Sequence, residues 1–300
     1  MRLCTFSRPG ENEDAQRVGI VEGSKVFDLT TRIDMMSFLR QSVPLSSLSR
    51  KGEGHKIAEV VLSAPIRRPG KILATIVNTQ GMLGGTDVRL DRPRIDMKAP
   101  SAVIGPGATI LAPAYGIRPE VELAAIIGRR LERVSEAVAD KGIFGYTVLN
   151  DVTAPKDSRE DAYEAYRRDR VSGAIRKATM RGPLFRSKNH DTFCPMGPWI
   201  ATPQENGDWA NLRMTTKFAG RLVQDGSTSE YLFSPKQIIS YVSGFLTLEP
   251  GDVVSCGSVG WTKDAIADLD PTEFVLPQQS GNLELEVEGL GSLSNPVKIA

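Results

Sequence analysis

Short apolar runs broken by glycine and proline set the texture of the chain. Arg2 to Phe6, Arg17 to Val21 and Lys25 to Asp28 each read as a β-strand, with Gly and Ser breaks between them. A polar stretch of helical pattern follows and ends near Ala64, so residues 1–65 are expected to form a small N-terminal β subdomain. Arg67-Arg68-Pro69-Gly70 marks a turn, and from Lys71 onward Val- and Ile-rich strands follow one another in a body expected to span residues 66–300. Helices are few. Ser135 can cap a short one that Gly142 ends, and Pro235 can open another running through Ile238, Ile239 and Val242. The longest helical pattern, dense in charge, runs from Asp157 to Thr179. Together these patterns suit a turn-rich, strand-rich body. The longest apolar runs, Ile72 to Val77 and Val121 to Ile127, stop well short of the roughly 20 residues of a membrane helix, so a soluble protein is expected.

One strand carries chemistry. In Arg118-Pro119-Glu120-Val121-Glu122-Leu123-Ala124-Ala125-Ile126-Ile127, a period of two puts Glu120 and Glu122 on one face and Val121, Leu123, Ala125 and Ile127 on the other. Two adjacent carboxylates repel, and burying both is costly unless a cation or a proton neutralises them. A solvated strand face is the simpler explanation of an isolated E-x-E. The next strand signal, Gly145 to Thr153, ends in a further acid, Asp151.

Composition narrows the options. The 300 residues carry 37 basic and 36 acidic side chains, which leaves no global field for nucleic acid or a membrane surface. Cys4, Cys194 and Cys256 are widely separated, lack metal-site spacing and cannot all pair within one chain, so a reducing, cytoplasmic setting is expected. The N-terminus shows no signal-peptide pattern. Two histidines, His55 and His190, cannot build a three-histidine zinc site, so a bound metal is expected to be a hard divalent cation on carboxylates.

Glu120-Val121-Glu122-Leu123 followed by Gly145 to Ala154 resembles the core signature of the fumarylacetoacetate hydrolase family. Pro100 to Gly107, Asp191 to Trp199, Thr247 to Val253 and Glu288 to Val297 agree with it in order and spacing, so the likeness runs from about Lys71 to Val297. The resemblance implies the family's mixed, strand-rich α+β fold with its β body, a homodimer, and a catalytic Mg²⁺, Mn²⁺ or Ca²⁺ held by Glu120, Glu122 and Asp151. It also implies that Lys188 is the active-site lysine and that the ligand is a small acidic metabolite; Gly257 and Ser258 could offer that ligand backbone donors, and Gln224 is a further expected substrate contact. The expected chemistry is metal-dependent, on a 2-oxo or 1,3-dicarbonyl acid, through a metal-stabilised enolate.

Three departures qualify this expectation. Family hydrolases usually carry N-Y-x-x-H-x-x-E in a lid, where the chain has Asn78 to Gly85; Met82 replaces the histidine and Gly85 the glutamate, neither can move a proton, and a flexible loop is expected. After Asp151, Ala154-Pro155-Lys156-Asp157 replaces A-R-D and leads into an insertion. From Lys156 to Lys188 it holds ten basic and five acidic residues. A solvated helix accounts for the insertion, while Arg167, Arg168 or Arg170 could instead draw in an acidic substrate. Ser255 to Trp261 replaces the family's T-G-T-P loop, and Cys256 is expected to be buried rather than nucleophilic. His190, beside Asp191, is the candidate replacement base. Hydrolysis of a C–C bond is the first expectation; the alternatives are decarboxylation or keto-enol isomerisation, which need no activated water, and a catalytically silent metabolite-binding relative.

Overall fold

The strands expected from the apolar runs assemble largely into one sheet. The computed structural model describes residues 1–12, 15–83, 89–203, 209–268, 275–276 and 280–300. Ten strands lie side by side in the order Arg50–Lys56, Lys25–Leu29, Arg17–Glu22, Arg2–Ser7, Cys194–Ala201, Ile143–Asn150, Val121–Ile127, Val253–Ser258, Ile72–Ile76 and Arg94–Lys98. Two more, Val61–Ser63 and Val103–Ile104, pair with Arg2–Ser7 and Cys194–Ala201, completing twelve. The N-terminal strands thus join the main sheet through Arg2 opposite Ala201. A five-stranded sheet packs against it, in the order Arg221–Ser227, Arg213–Phe218, Gly281–Val287, Gly291–Ile299 and Ile110–Ala112.

Val121–Ile127 lies near the middle of the large sheet and is buried along all seven residues. Its alternation is structural on both sides. Val121, Leu123, Ala125 and Ile127 pack into a core shared with the five-stranded sheet, including Leu283 and Leu285. Ala124 and Ile126 enter a second core with Leu3, Ile20, Phe38 and Ile200. Each fully buried aliphatic side chain contributes about 1.5–3 kcal/mol, so this strand is held firmly against both layers. The face that bears Glu120 and Glu122 is therefore not a solvated one.

Two segments depart from the sequence pattern. Between Asp34 and Ala64 the expected helical stretch holds one short helix, Met35–Arg40, capped by the Asp34 side chain, and then the strand Arg50–Lys56. Gly52 and Gly54, both at φ near +75°, break the helical reading. The charged insertion forms a short helix over Pro155–Glu160, then a two-stranded hairpin, Tyr163–Arg168 with Ile175–Met180, and a last helical turn at Phe185–Lys188. Asp169 causes the reversal: its side chain accepts hydrogen bonds from the backbone N–H groups of Val171 and Ser172 at 3.1 and 2.7 Å, and Gly173 takes φ +70°. The helices at Glu136–Asp140 and Pro235–Ser243 form as expected. Among the described residues, no helix is long and apolar enough to cross a membrane.

Candidate metal centre

Register brings the carboxylates together. Val121 pairs with Asn150 across the antiparallel ladder, so the next step outward sets Glu120 beside Asp151, where the Asp151 N–H donates to the Glu120 carbonyl at 2.9 Å. Asn150 Oδ1 in turn accepts from the Glu120 N–H at 3.0 Å. On the other side, Val253–Ser258 bulges between its pairings with Ala124 and Glu122. Gly257, at φ +102°, turns its N–H onto Glu122 Oε2 at 3.1 Å, and a Cβ there would lie 2.6 Å from that of Asn78. Ser255 Oγ donates to the same Glu122 oxygen.

Glu120, Glu122 and Asp151 each offer an oxygen within 4.8 Å of the others, and all three side chains are buried. Three cations face them. Lys98 Nζ lies 2.7 Å from Asp151 Oδ1, Lys188 Nζ bonds Asp151 Oδ2 and lies 3.2 Å from Glu120 Oε2, and Arg118 Nε lies 3.2 Å from Glu120 Oε1. Lys98 also donates to the backbone carbonyls of Val152 and Lys188, at 3.2 and 2.7 Å. Lys188 bonds Thr153 Oγ1 at 3.0 Å.

Protonation follows from these contacts. Burial, reinforced by the neighbouring Asp151 and Glu120 charges, pushes the Glu122 carboxyl up to about 8. Burial acts in the same sense on Asp151, but the Lys188 and Lys98 ammonium groups override it and hold that carboxyl down at about 2. Burial alone would lower Lys188, yet Asp151 and Glu120 raise it, so it keeps its proton. A cluster of buried oxygen donors with one carboxyl reluctant to ionise fits a hard divalent cation, whose charge would relieve the repulsion.

The structure therefore gathers Glu120, Glu122, Asp151 and Lys188, with the Gly257 backbone reaching Glu122. Gln224 and Ser258 sit behind this cluster. Gln224 is fully buried; its Oε1 accepts from the Val121 N–H at 3.1 Å and from Thr216 Oγ1 at 2.8 Å, and its Nε2 donates to Ser258 Oγ at 3.0 Å and the Val259 carbonyl at 2.8 Å. His190 belongs to another network. Its Nε2 lies 2.6 Å from Asp157 Oδ2, and its ring stacks on Phe193. The other Asp157 oxygen receives Tyr115 Oη at 2.5 Å and Arg186 Nη1 at 2.9 Å. In the lid segment, Gln80–Leu83 forms one helical turn rather than a loop, whereas Gly85 lies outside the described residues. Cys256 is fully buried, and burial raises its thiol, so it is not a nucleophile at neutral pH.

Sequence reasoning missed Lys98 and Arg118. Lys98 stands two residues before the Pro100 to Gly107 block and Arg118 two residues before Glu120, positions that mark them as partners only once the strands are paired.

The sequence profile described as Fumarylacetoacetate (FAA) hydrolase C-terminal matches residues 75–298. The chain belongs to that family. Among relatives, it is 28% identical over 304 residues to the 2,4-didehydro-3-deoxy-L-rhamnonate hydrolase of Sphingomonas sp. (strain SKA58), covering 97% of this chain and 94% of that one. It is 29% identical over 312 residues to the mitochondrial oxaloacetate tautomerase FAHD2B of Bos taurus, covering 99% and 91%. The maleylpyruvate hydrolase of Sphingobium sp. SYK-6, solved with manganese(II) and pyruvate, shares its fold at a TM-score of 0.71, with 24% identity and both chains covered in full. Within the fumarylacetoacetate hydrolase family, then, similar chains are named for both hydrolysis and tautomerisation.

Proposed function

We propose that this chain is a divalent-cation-dependent enzyme that interconverts the keto and enol forms of a small 2-oxo acid. The observation that carries the proposal is the buried cluster of three carboxylates with Lys188 turned into it, while His190, the candidate water-activating base, bonds Asp157 and makes no hydrogen bond to that cluster among the described residues. Glu120, Glu122 and Asp151 would hold the cation, with Mg²⁺, Mn²⁺ and Ca²⁺ all chemically suited. Bound there, the cation supplies Lewis-acid stabilisation of negative charge on the 2-oxo oxygen. The manganese and pyruvate of the Sphingobium relative support that pairing of metal and substrate class.

The chain's own groups do the rest. Lys98, tied to two backbone carbonyls, fixes Asp151. Lys188 has only side-chain acceptors at Nζ, so it is the ammonium able to turn from the carboxylates toward substrate. There it holds a developing oxyanion or exchanges a proton at the carbon beside the ketone. The surrounding apolar strands exclude bulk water.

Hydrolysis of a C–C bond is the second reading, favoured by the hydrolase relative that spans nearly the whole chain. Proton NMR in D₂O on Mn²⁺- or Mg²⁺-loaded protein, with oxaloacetate and an acylpyruvate as substrates, separates the two. Accelerated enol-to-keto conversion and deuterium exchange beside the ketone are expected. Two-fragment products would establish hydrolysis instead, CO₂ release a decarboxylase, and no change in either substrate a silent relative.

A further inference from the structure

The three cations around the carboxylates are not equivalent. Lys98 and Lys188 are almost wholly buried, with side-chain exposures of 0% and 2%, whereas Arg118 is 24% exposed. Its backbone is locked by two hydrogen bonds with Thr153, at 2.7 and 2.9 Å, so its position beside Glu120 is fixed by the same pairing that fixes Asp151. Its side chain is less committed. Nε lies 3.2 Å from Glu120 Oε1 yet is a buried donor without a hydrogen bond, and the two terminal nitrogens have no partner among the described residues. A guanidinium whose fork is unspent, at the edge of a buried charge cluster, is shaped to take a carboxylate by two parallel hydrogen bonds.

Charge balance points the same way. Glu120, Glu122 and Asp151, when ionised, are matched by Lys98, Lys188 and Arg118. A divalent cation then leaves two positive charges over, which a dianion neutralises and a monoanion does not.

We propose that Arg118 is the specificity-determining residue of this site, binding a second carboxylate of the substrate, so that the site selects 2-oxo dicarboxylates over 2-oxo monocarboxylates. The proposal rests on the 2-oxo acid reading above and names its substrate class. In it, the first carboxylate and the ketone face the cation and Lys188, and the second carboxylate takes the Arg118 fork.

The test is calorimetric titration of the Mn²⁺-loaded protein with pyruvate, oxaloacetate and 2-oxoglutarate, for the natural chain and for Arg118→Gln and Arg118→Lys. At least one dicarboxylate is expected to bind the natural chain about tenfold or more tighter than pyruvate, a gain in line with a charge-assisted bidentate pair. Arg118→Gln should erase that preference, Arg118→Lys should keep part of it, and Mn²⁺ affinity should change by less than about threefold in both. Equal weakening of pyruvate and the dicarboxylates, or loss of Mn²⁺ itself, would reduce Arg118 to a structural partner of Glu120 and overturn the proposal. So would a natural chain with no preference between the two classes. An Arg118-dependent preference in a protein that converts none of these acids would leave the anchor standing and sink the enzymatic reading; turnover without preference would do the reverse.

Discussion

Two charged regions, about a dozen residues apart in sequence, are built on opposite principles. Around Asp151, three acids and three cations are packed into the centre of the large sheet, and nearly every charge has a partner. The hairpin that begins at Tyr163 is also rich in charge, but its strands are bonded mainly to each other, and Arg167 stands directly opposite Arg176. Tyr166, Val171 and Ile175 are exposed there, at 70%, 98% and 63%. Charge density alone thus says little about a site. Burial makes the difference, because in a dry environment a charge must be matched, whereas in water it can be left to solvent.

The largest expected effect is in the buried cluster. Asp151→Ala should lower Mn²⁺ affinity by at least about 100-fold, since even groups behind a ligand affect affinity by about 10- to 100-fold. It should also destabilise the metal-free protein by roughly 3–5 kcal/mol, because Lys98 and Lys188 lose their shared counter-charge inside the sheet. Metal titration and denaturant melts measure the two; retention of Mn²⁺ at full affinity would remove Asp151 from the metal centre.

Next comes the pH response of Glu122. Its carboxyl sits at about 8 in the fold, above its unfolded value, so the fold prefers the protonated form. This contribution to stability is complete below the ordinary carboxylate range and is lost as pH rises toward 8. Metal-free protein should therefore lose thermal stability between about pH 5 and 8, while the stabilisation added by Mn²⁺ grows over the same interval, because the cation competes with that proton. Glu122→Gln should flatten the first trend. A Mn²⁺ affinity constant from about pH 6 to 8 would contradict the assignment.

His190 should matter less. A general base contributes on the order of 100-fold or more, whereas His190→Gln is expected to cost turnover less than about threefold. A loss near 100-fold with Mn²⁺ affinity intact would make it the base after all and return hydrolysis to first place. Smallest of all should be the effect of replacing Tyr163–Met180 with a short turn, expected to alter folding stability by less than about 1 kcal/mol. A drop in substrate affinity in that variant, with stability preserved, would show that the arginines of the hairpin serve the site.

The two regions also differ in how far the sequence disclosed them. Glu120, Glu122 and Asp151 could be read because a two-residue period and a following apolar strand are local patterns, and the ladder then carries them to one place. Lys98 and Arg118 could not, since a lysine or arginine next to a turn is ordinarily solvated and only the pairing of distant strands reveals it as a buried partner. The hairpin was obscured for a different reason. Its alternation of Arg, Lys and Ala fits a polar helix as readily as an exposed strand, and the deciding feature is the Asp169 side chain bonding the turn. Gln224, expected at substrate, has all its polar atoms engaged by protein groups, and no periodicity could have shown that.

The bulge at Gly257 has a consequence for how the protein is made. Glu122 and the backbone donor that Gly257 gives it are 135 positions apart. At roughly 5–20 residues per second of ribosomal synthesis, about 7 to 27 seconds pass before that donor leaves the tunnel. Until then the strand Val121–Ile127 lacks one flanking neighbour, and two acids wait beside an open sheet edge. The nascent chain must therefore be kept from pairing with other chains during this interval, and the metal centre is among the last features to be completed at birth.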